Sequence, residues 1–399
     1  MPNDRPIGIH DLTFRTTSLT LPHTELAQHA DVSVAKYHHG IGQRSMSIPA
    51  ADEDIVTMAA EAAQALIARH GAHQIRTLLF ATETGIDQSK SAGVYVHSLL
   101  GLPAHVRVVE LKQACYGATA ALQLATALVR QDLTQHVLVV ASDIARYDLD
   151  SPGEATQGAA AAAMLIAADP ALATIEHPSG LYTRDIMDFW RPNYRSTALV
   201  DGRKSLKAYL HALDRAWSDH QERGGRPLHD LRTVCYHQPF TKMAHKAHEH
   251  LLRITGTKAD LSDIDTALAP TTTYNEVIGN SYTASLYLAL ASLLDSSADL
   301  DGSPIGLFSY GSGSVAEFFT AQVSPGYRSH LRTAEHHNTI ARRGEISYAT
   351  YRQLHSLTLP TDGGHWDAPL TSAGEYRLTG VHQHQRIYQP TRATEQPAA

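Results

Sequence analysis

The sequence predicts an α/β fold assembled from two duplicated halves, each with a largely parallel sheet buried on both faces. Three observations predict it. A strand, a helix rich in small residues and a second strand recur in the same order in the two halves of the chain. Strands alternate with helical stretches, the pattern of sheets covered by helices. The 399 residues, 43% hydrophobic and 18% charged, suffice for two units and a large apolar core.

The first recurring element is "IRTLLFATETG", a short apolar run that ends in polar and glycine punctuation. "LRTVCYHQPFT" has the same form. Arg76-Thr77 opens one run and Arg232-Thr233 the other, and Glu83 and His237 lie at their ends. Next come "ACYGATAALQLATALV" and "IGNSYTASLYLALASLL", two Ala- and Leu-rich helices led in by Cys115 and Asn280. "HVLVVASDIARY" and "PIGLFSYGSGS" complete the set as buried strands. The chain divides accordingly into residues 1–168, which carry Glu83 and Cys115, and residues 169–330, which carry His237 and Asn280. Residues 331–399 read as a helical extension whose polar end, "YQPTRATEQPAA", is expected to fray.

In such sheets chemistry gathers at the carboxyl ends of strands. Two halves related by a pseudo-twofold axis would bring Glu83, Cys115, His237 and Asn280 together. A lone buried cysteine is more often core filler than nucleophile, but matched positions in both halves argue for a shared site. Gly117, Ala118, Ala120 and Ala121 would let the Cys115 helix lie close against its twin, with Leu122, Leu124 and Leu128 as apolar bulk. At the helix start the dipole would favour thiolate over thiol. A backbone N–H there could polarise a thioester carbonyl. Cys235, on a buried strand, reads as packing.

Several function classes drop out. A formal charge of −7 with no basic stripe argues against a nucleic-acid partner. Two cysteines neither build a disulfide framework nor fit a zinc motif. "MPNDRPIGIHDL" lacks the layout of a signal peptide, and no apolar run reaches membrane-spanning length. The expectation is a reduced, cytoplasmic, soluble protein. Of the 25 histidines, His245, His248, His250 and the pair His336-His337 are close in sequence. No carboxylate or cysteine completes a ligand set, so no metal is expected and these read as solvated surface histidines.

The stretches "GIGQRSMSIP", "ATETGIDQSKSAG", "ELKQACYGATAAL", "ASDIARYDLDSPGEATQGA", "DFWRPNY", "LVDGRKS", "HQPFTKMAHKA", "IGNSYTASLYLALASLL" and "LFSYGSGSVAEFF" occur in one order from about Gly8 to past Phe319. Together they resemble the bacterial 3-hydroxy-3-methylglutaryl-CoA (HMG-CoA) synthases, thiolase-fold condensing enzymes. The resemblance implies a five-layered αβαβα fold from two duplicated halves, a homodimer, and no metal or cofactor beyond the CoA thioester substrates. The implied reaction joins acetyl-CoA, acetoacetyl-CoA and water into HMG-CoA and CoA, in the mevalonate route to isoprenoids.

By the same resemblance Cys115 takes the acetyl group, and the thioester it forms keeps the acyl α-hydrogens acidic. Glu83 is the general acid and base, a task that suits a carboxyl whose burial lifts its pKa. His237 polarises the acetoacetyl carbonyl, and Asn280 helps hold the acyl group. Lys242 and Lys246, one helical turn apart, look like a cationic entrance for CoA. Thr156, Ser205 and Ser312 match polar contacts to the CoA arm and acyl group, and Tyr147 a tyrosine near the acetyl site.

The sequence departs from the family pattern at Pro152-Gly153-Glu154-Ala155-Thr156, at the alanine run Ala159 to Ala163, before Leu199, and at Val32-Ser33-Val34. None of these touches Glu83, Cys115 or His237. Two rival condensing enzymes take carrier-protein substrates: a ketoacyl-carrier-protein synthase III-like enzyme and a polyketide β-branching HMG synthase. Glu83 argues against the first, since decarboxylative condensation needs no base to deprotonate acetyl. A non-catalytic acyl-CoA-binding scaffold would be expected to lack Glu83 or Cys115.

Overall fold

The apolar runs become strands because helices cover both of their faces; in "IRTLLFA" every residue but Arg76 is buried. The computed structural model describes residues 5–391. Ten strands share one sheet. In chain order they are β1 (Ile7–Thr16), β2 (Ile75–Ala81), β3 (Arg107–Leu111), β4 (His136–Ala145), β5 (Gly158–Ala168), β6 (Ala173–Ile175), β7 (Gly180–Thr183), β8 (Val234–Tyr236), β9 (Pro304–Gly311) and β10 (Val315–Val323). Their spatial order is β8-β9-β10-β6-β1-β5-β4-β2-β3, with β7 also paired to β10.

The order contains the same arrangement twice. β2-β4-β5-β1 in the first half answers β8-β9-β10-β6/β7 in the second, and β1 pairs with β6 to join them. The twice-read motifs fall on the equivalent pairs β2/β8 and β4/β9. One expectation is corrected: the sheet is mixed, not largely parallel. Only β2–β3, β2–β4 and β8–β9 are parallel. The chain reverses from β4 into β5 and from β9 into β10, and those returns make antiparallel pairs.

The main helices are α1 (Ile55–His70), α2 (Ala92–Leu99), α3 (Gly117–Gln131), α4 (Gly202–Glu222), α5 (Lys242–Thr255), α6 (Leu261–Ile278), α7 (Ser285–Asp295), α8 (Thr333–Ala341) and α9 (Tyr348–His355). They complete five layers. Val137, Val139, Ala160 and Ala162 face α3 and α7 in the centre, together with Leu307 and Phe319 of the second half. The alternating Leu138, Val140, Ala159, Ala161 and Ala163 face α1 and α2 on the outside. Tyr236, Phe308 and Phe318 face α4 and α5 on the opposite outer side. A Cβ on Gly158 would stand 2.4 Å from the Ile278 carbonyl, so only glycine lets β5 start against the turn that carries Asn280.

Further expectations are corrected. Of the small residues of α3, Gly117 stands against the Leu111 carbonyl, Ala81 and Thr283, the last in the turn before α7. Contact with the twin helix runs through side chains, the Thr119 hydroxyl lying 2.9 Å from the Tyr287 hydroxyl of α7. Leu124 is not core, being 51% exposed. The C-terminal extension is helical only as far as α9. It then forms a sheet of β11 (Trp366–Asp367), β12 (Tyr376–His382) and β13 (Gln385–Pro390) that docks Tyr376 and Tyr388 on the outer helices. The frayed end expected from Tyr388 is strand as far as Pro390, and residues 392–399 lie outside the described residues. Among the described residues no helix is long and apolar enough to cross a membrane.

Candidate active site

The two halves meet at a cleft of about 490 Å³ lined by Cys115, Tyr147, Thr156, Ser205, His237, Lys246, Asn280 and Ser312. Eight of the ten residues singled out in the sequence therefore share one cavity. Glu83 reaches the site from the other side, through a depression it shares with Gln113, Ala114, Phe189, Arg191 and Ser312. Cys115 Sγ, 3.5 Å from Glu83 Oε2, connects the two. Lys242 is the exception. Its Nζ points to Asp265, 4.0 Å away, where His245 also binds, and it does not line the cleft.

Cys115 stands just before α3 on a constrained turn. Ala114 has φ 43°, the left-handed region that costs a non-glycine residue about 1–2 kcal/mol. Hydrogen bonds Tyr116 N to Gln113 O and Gly117 N to Ala114 O hold the turn, and Gln113 Nε2 donates to Ser312 O of the second half. Strain of this kind persists only where neighbours enforce it, and here it aims the sulfur into the cleft. The expected helix-dipole activation is overruled. Burial, then the charges of Glu83 and Asp143, push the Cys115 thiol well above its ordinary pKa. The resting nucleophile is a neutral thiol donating toward Glu83.

Glu83 follows the end of β2. Burial comes first and the Asp143 carboxylate second in raising its pKa to about 8, against the opposing pull of Arg191 and the Cys115 thiol. Sequence reasoning missed Asp143, which is fully buried in β4. Its Oδ1 accepts from the Thr82 hydroxyl at 2.7 Å, Glu83 N at 2.9 Å, Thr84 N at 3.0 Å and the Thr84 hydroxyl at 2.6 Å. Its Oδ2 accepts from Thr283 N and the Thr283 hydroxyl, across the junction between halves. An acid inside the apolar run "HVLVVASDIA" was the available signal, because a buried carboxylate must be paid for by donors. Arg191, also missed, donates to the Glu83 carbonyl.

Apart from Arg191 and Lys246, the second half contributes neutral groups. Burial alone lowers His237 to about 3, so its imidazole is uncharged, and its buried Nδ1 has no protein partner among the described residues. Tyr209 fixes the strand end by donating to the His237 carbonyl at 2.7 Å. Asn280 is held by its N–H to Thr156 O and by Oδ1, which accepts from Tyr282 N at 2.9 Å. Tyr147, Tyr282, Phe189 and Ala198 form an apolar cluster around Cys115. The Tyr147 hydroxyl is held strongly protonated by burial. Lys246 Nζ lies 5.4 Å from the Phe240 ring at the cleft wall.

Two histidines read as solvated are not. His248 is buried against the Tyr236 hydroxyl at 2.9 Å, and His336 is buried on Asp295 at 2.6 Å. Cys235 is fully buried, as its packing role requires.

A thiol that abuts a carboxyl of near-neutral pKa can carry an acyl group while the carboxyl takes a proton from it. On a duplicated five-layered frame, that chemistry defines the thiolase-fold condensing acyltransferases, and the protein is of that class. Residues 2–171 match the family model "Hydroxymethylglutaryl-coenzyme A synthase N terminal", and residues 174–263 and 252–352 match its C-terminal counterpart. The chain is 40% identical to the hydroxymethylglutaryl-CoA synthase of Enterococcus faecalis over 384 residues, 96% of this chain and 99% of that one. A crystal structure of an HMG-CoA synthase complexed with CoA superposes with a TM-score of 0.92 at 38% identity, covering 97% of this chain and 100% of the other. The polyketide 3-hydroxy-3-methylglutaryl-ACP synthase PksG of Bacillus subtilis is 31% identical over 352 residues, 83% of each chain. The chain belongs to the hydroxymethylglutaryl-CoA synthase family.

Proposed function

We propose that the protein condenses acetyl-CoA with acetoacetyl-CoA and water to give HMG-CoA and CoA. The observation that carries this is the contact of Cys115 Sγ with Glu83 Oε2 at the junction of the two depressions. In the first step the sulfur attacks the acetyl carbonyl, CoA leaves with the thiol proton, and acetyl-Cys115 remains. Ionised Glu83 then removes a proton from the acetyl methyl. The resulting carbanion equivalent attacks C3 of acetoacetyl-CoA, whose carbonyl the neutral His237 polarises by hydrogen bonding, and Glu83 returns the proton to the C3 oxygen. Water finally cleaves the Cys115 thioester and restores the thiol. No electron is gained or lost, so the chemistry asks for no redox cofactor.

Asn280, Ser312, Thr156, Ser205 and Lys246 all line the cleft, and in this reading the first three hold the acyl group and the last two the CoA arm. The reading places the enzyme in the cytoplasm, in the mevalonate route to isoprenoids, as a homodimer. The edge strand β3, paired only to β2 among the described residues and with its own Val109 exposed, supports the dimer. The deciding experiment is peptide mass spectrometry after mixing with acetyl-CoA and then acetoacetyl-CoA. Acetyl on Cys115 that free acetoacetyl-CoA discharges as HMG-CoA is the expected result. Acetyl that persists would replace it with a carrier-bound acceptor, and absence of acetyl would overturn the nucleophile.

A further inference from the structure

The C-terminal sheet carries a second cluster of chemically capable side chains, on a part of the chain that contributes nothing to the cleft. β11 and β12 are antiparallel with Trp366 opposite Val381 and Asp367 opposite Gly380. Continuing that register by one step sets His365 opposite His382. Asp367 is two residues on from His365, hence on the same face of its strand. Three ligand-type side chains are therefore brought together by strand pairing itself. His365 and His382 lie with ring centroids 3.7 Å apart. Each Nε2 faces a different oxygen of Asp367, at 3.2 Å and 3.0 Å. The donor atoms all lie within 4.8 Å of one another. Opposite Asp367 stands Gly380, where a Cβ would come within 3.2 Å of His382 Nε2 and 2.3 Å of the Trp366 carbonyl. Glycine there keeps the space between the strands open for the imidazole.

We propose that His365, Asp367 and His382 form a binding site for a divalent transition-metal ion, with Zn²⁺ the best match. Two imidazoles and one carboxylate are the ligand types that Zn²⁺ takes, and oxygen-seeking Mg²⁺ or Ca²⁺ would find only one suitable ligand. The ion displaces the protons that now bridge the imidazoles and the carboxylate. All three side chains are substantially solvent-accessible, at 64%, 72% and 37%, so the remaining coordination positions go to water. A metal there ties β11 to β12, a link that the two-residue pairing of β11 makes weakly by itself. The sheet in turn anchors to the first half through Asp52, whose carboxylate accepts from Thr371 and Ser372, and through Asp54, bonded by Tyr388. The ion therefore fastens the extension rather than entering the condensation.

The test is calorimetric titration of chelator-treated protein with Zn²⁺, on the wild type, His382→Asn, Asp367→Asn and the control His229→Asn, which alters an exposed histidine beside Asp230. Circular dichroism melting with and without Zn²⁺ checks folding and reads stabilisation by bound ion. The expected result is one saturable equivalent in wild type and control, with a Zn²⁺-dependent rise in Tm. Both cluster variants should bind at least about tenfold more weakly and lose that rise. Indistinguishable isotherms for wild type and cluster variants, or no saturable binding to the wild type, would overturn the site.

Discussion

The two halves share a strand order and differ in what they place at its matched ends. β2 leads to Glu83 and β8 to His237; the turn before α3 presents Cys115 and the turn before α7 presents Asn280. In the first half the groups are ionisable and coupled. Asp143 raises the pKa of Glu83, both carboxyls raise that of Cys115, and the Cys115 thiol together with Arg191 of the second half pulls Glu83 back down. In the second half burial alone acts on His237, and Asn280 cannot ionise. Duplication supplied the positions, and divergence divided the labour between proton transfer and neutral hydrogen bonding.

This contrast is open to attack at several points. The largest effect falls on the first half: Cys115→Ala should abolish acetyl-enzyme and lower turnover at least about 10³-fold, measured by HMG-CoA formation. Glu83→Ala should cost about 10²–10⁴-fold in condensation while Cys115 still acetylates. Normal condensation by that variant would remove Glu83 from its role. On the neutral side, His237→Ala should leave acetylation intact and lower kcat/KM for acetoacetyl-CoA by about 10²-fold. A comparable loss of acetylation would show that the halves do not divide the work.

The pH profile sharpens the comparison. A base must be ionised, so with Glu83 raised to about 8 the condensation rate should climb as pH passes through about 8. Arg191→Met removes a charge that favours the carboxylate and should move the climb to higher pH. Asp143→Asn removes a repelling charge and should move it lower. Shifts in the same direction would refute the electrostatic account. The smallest effects lie at the entrance. Lys246→Ala should raise KM for CoA thioesters by up to about tenfold, and Lys242→Ala, already turned to Asp265, should leave KM within about twofold.

The parts legible in the sequence were those written as apolar runs at equivalent places. "IRTLLFA" and "HVLVVA" have both faces buried and so display themselves without a partner. The direction of β5 was hidden, because a strand of alanines reads the same either way. In the extension β12 alternates buried and half-buried residues over only Tyr376 to Thr379, and β13, exposed or half-buried throughout, carries too little pattern to separate from loop. In the site, residues with a reacting role stood at strand or helix ends. Asp143, Arg191, Tyr209 and Tyr282 act through other groups, and nothing local in the sequence marks whom they touch. Lys242 and Lys246 are one turn apart, yet Asp265 captures only the first.

The carboxylate of Asp143 also bears on the order of events during synthesis. It belongs to the first half, but two of its donors come from Thr283, translated 140 residues later. Until that segment leaves the ribosome, Oδ1 can already take its four donors from Thr82, Glu83 and Thr84, while Oδ2 lacks its two. The two oxygens of one carboxylate thus mark two stages of assembly: Oδ1 closes within the first half, and Oδ2 only when the second half docks on it.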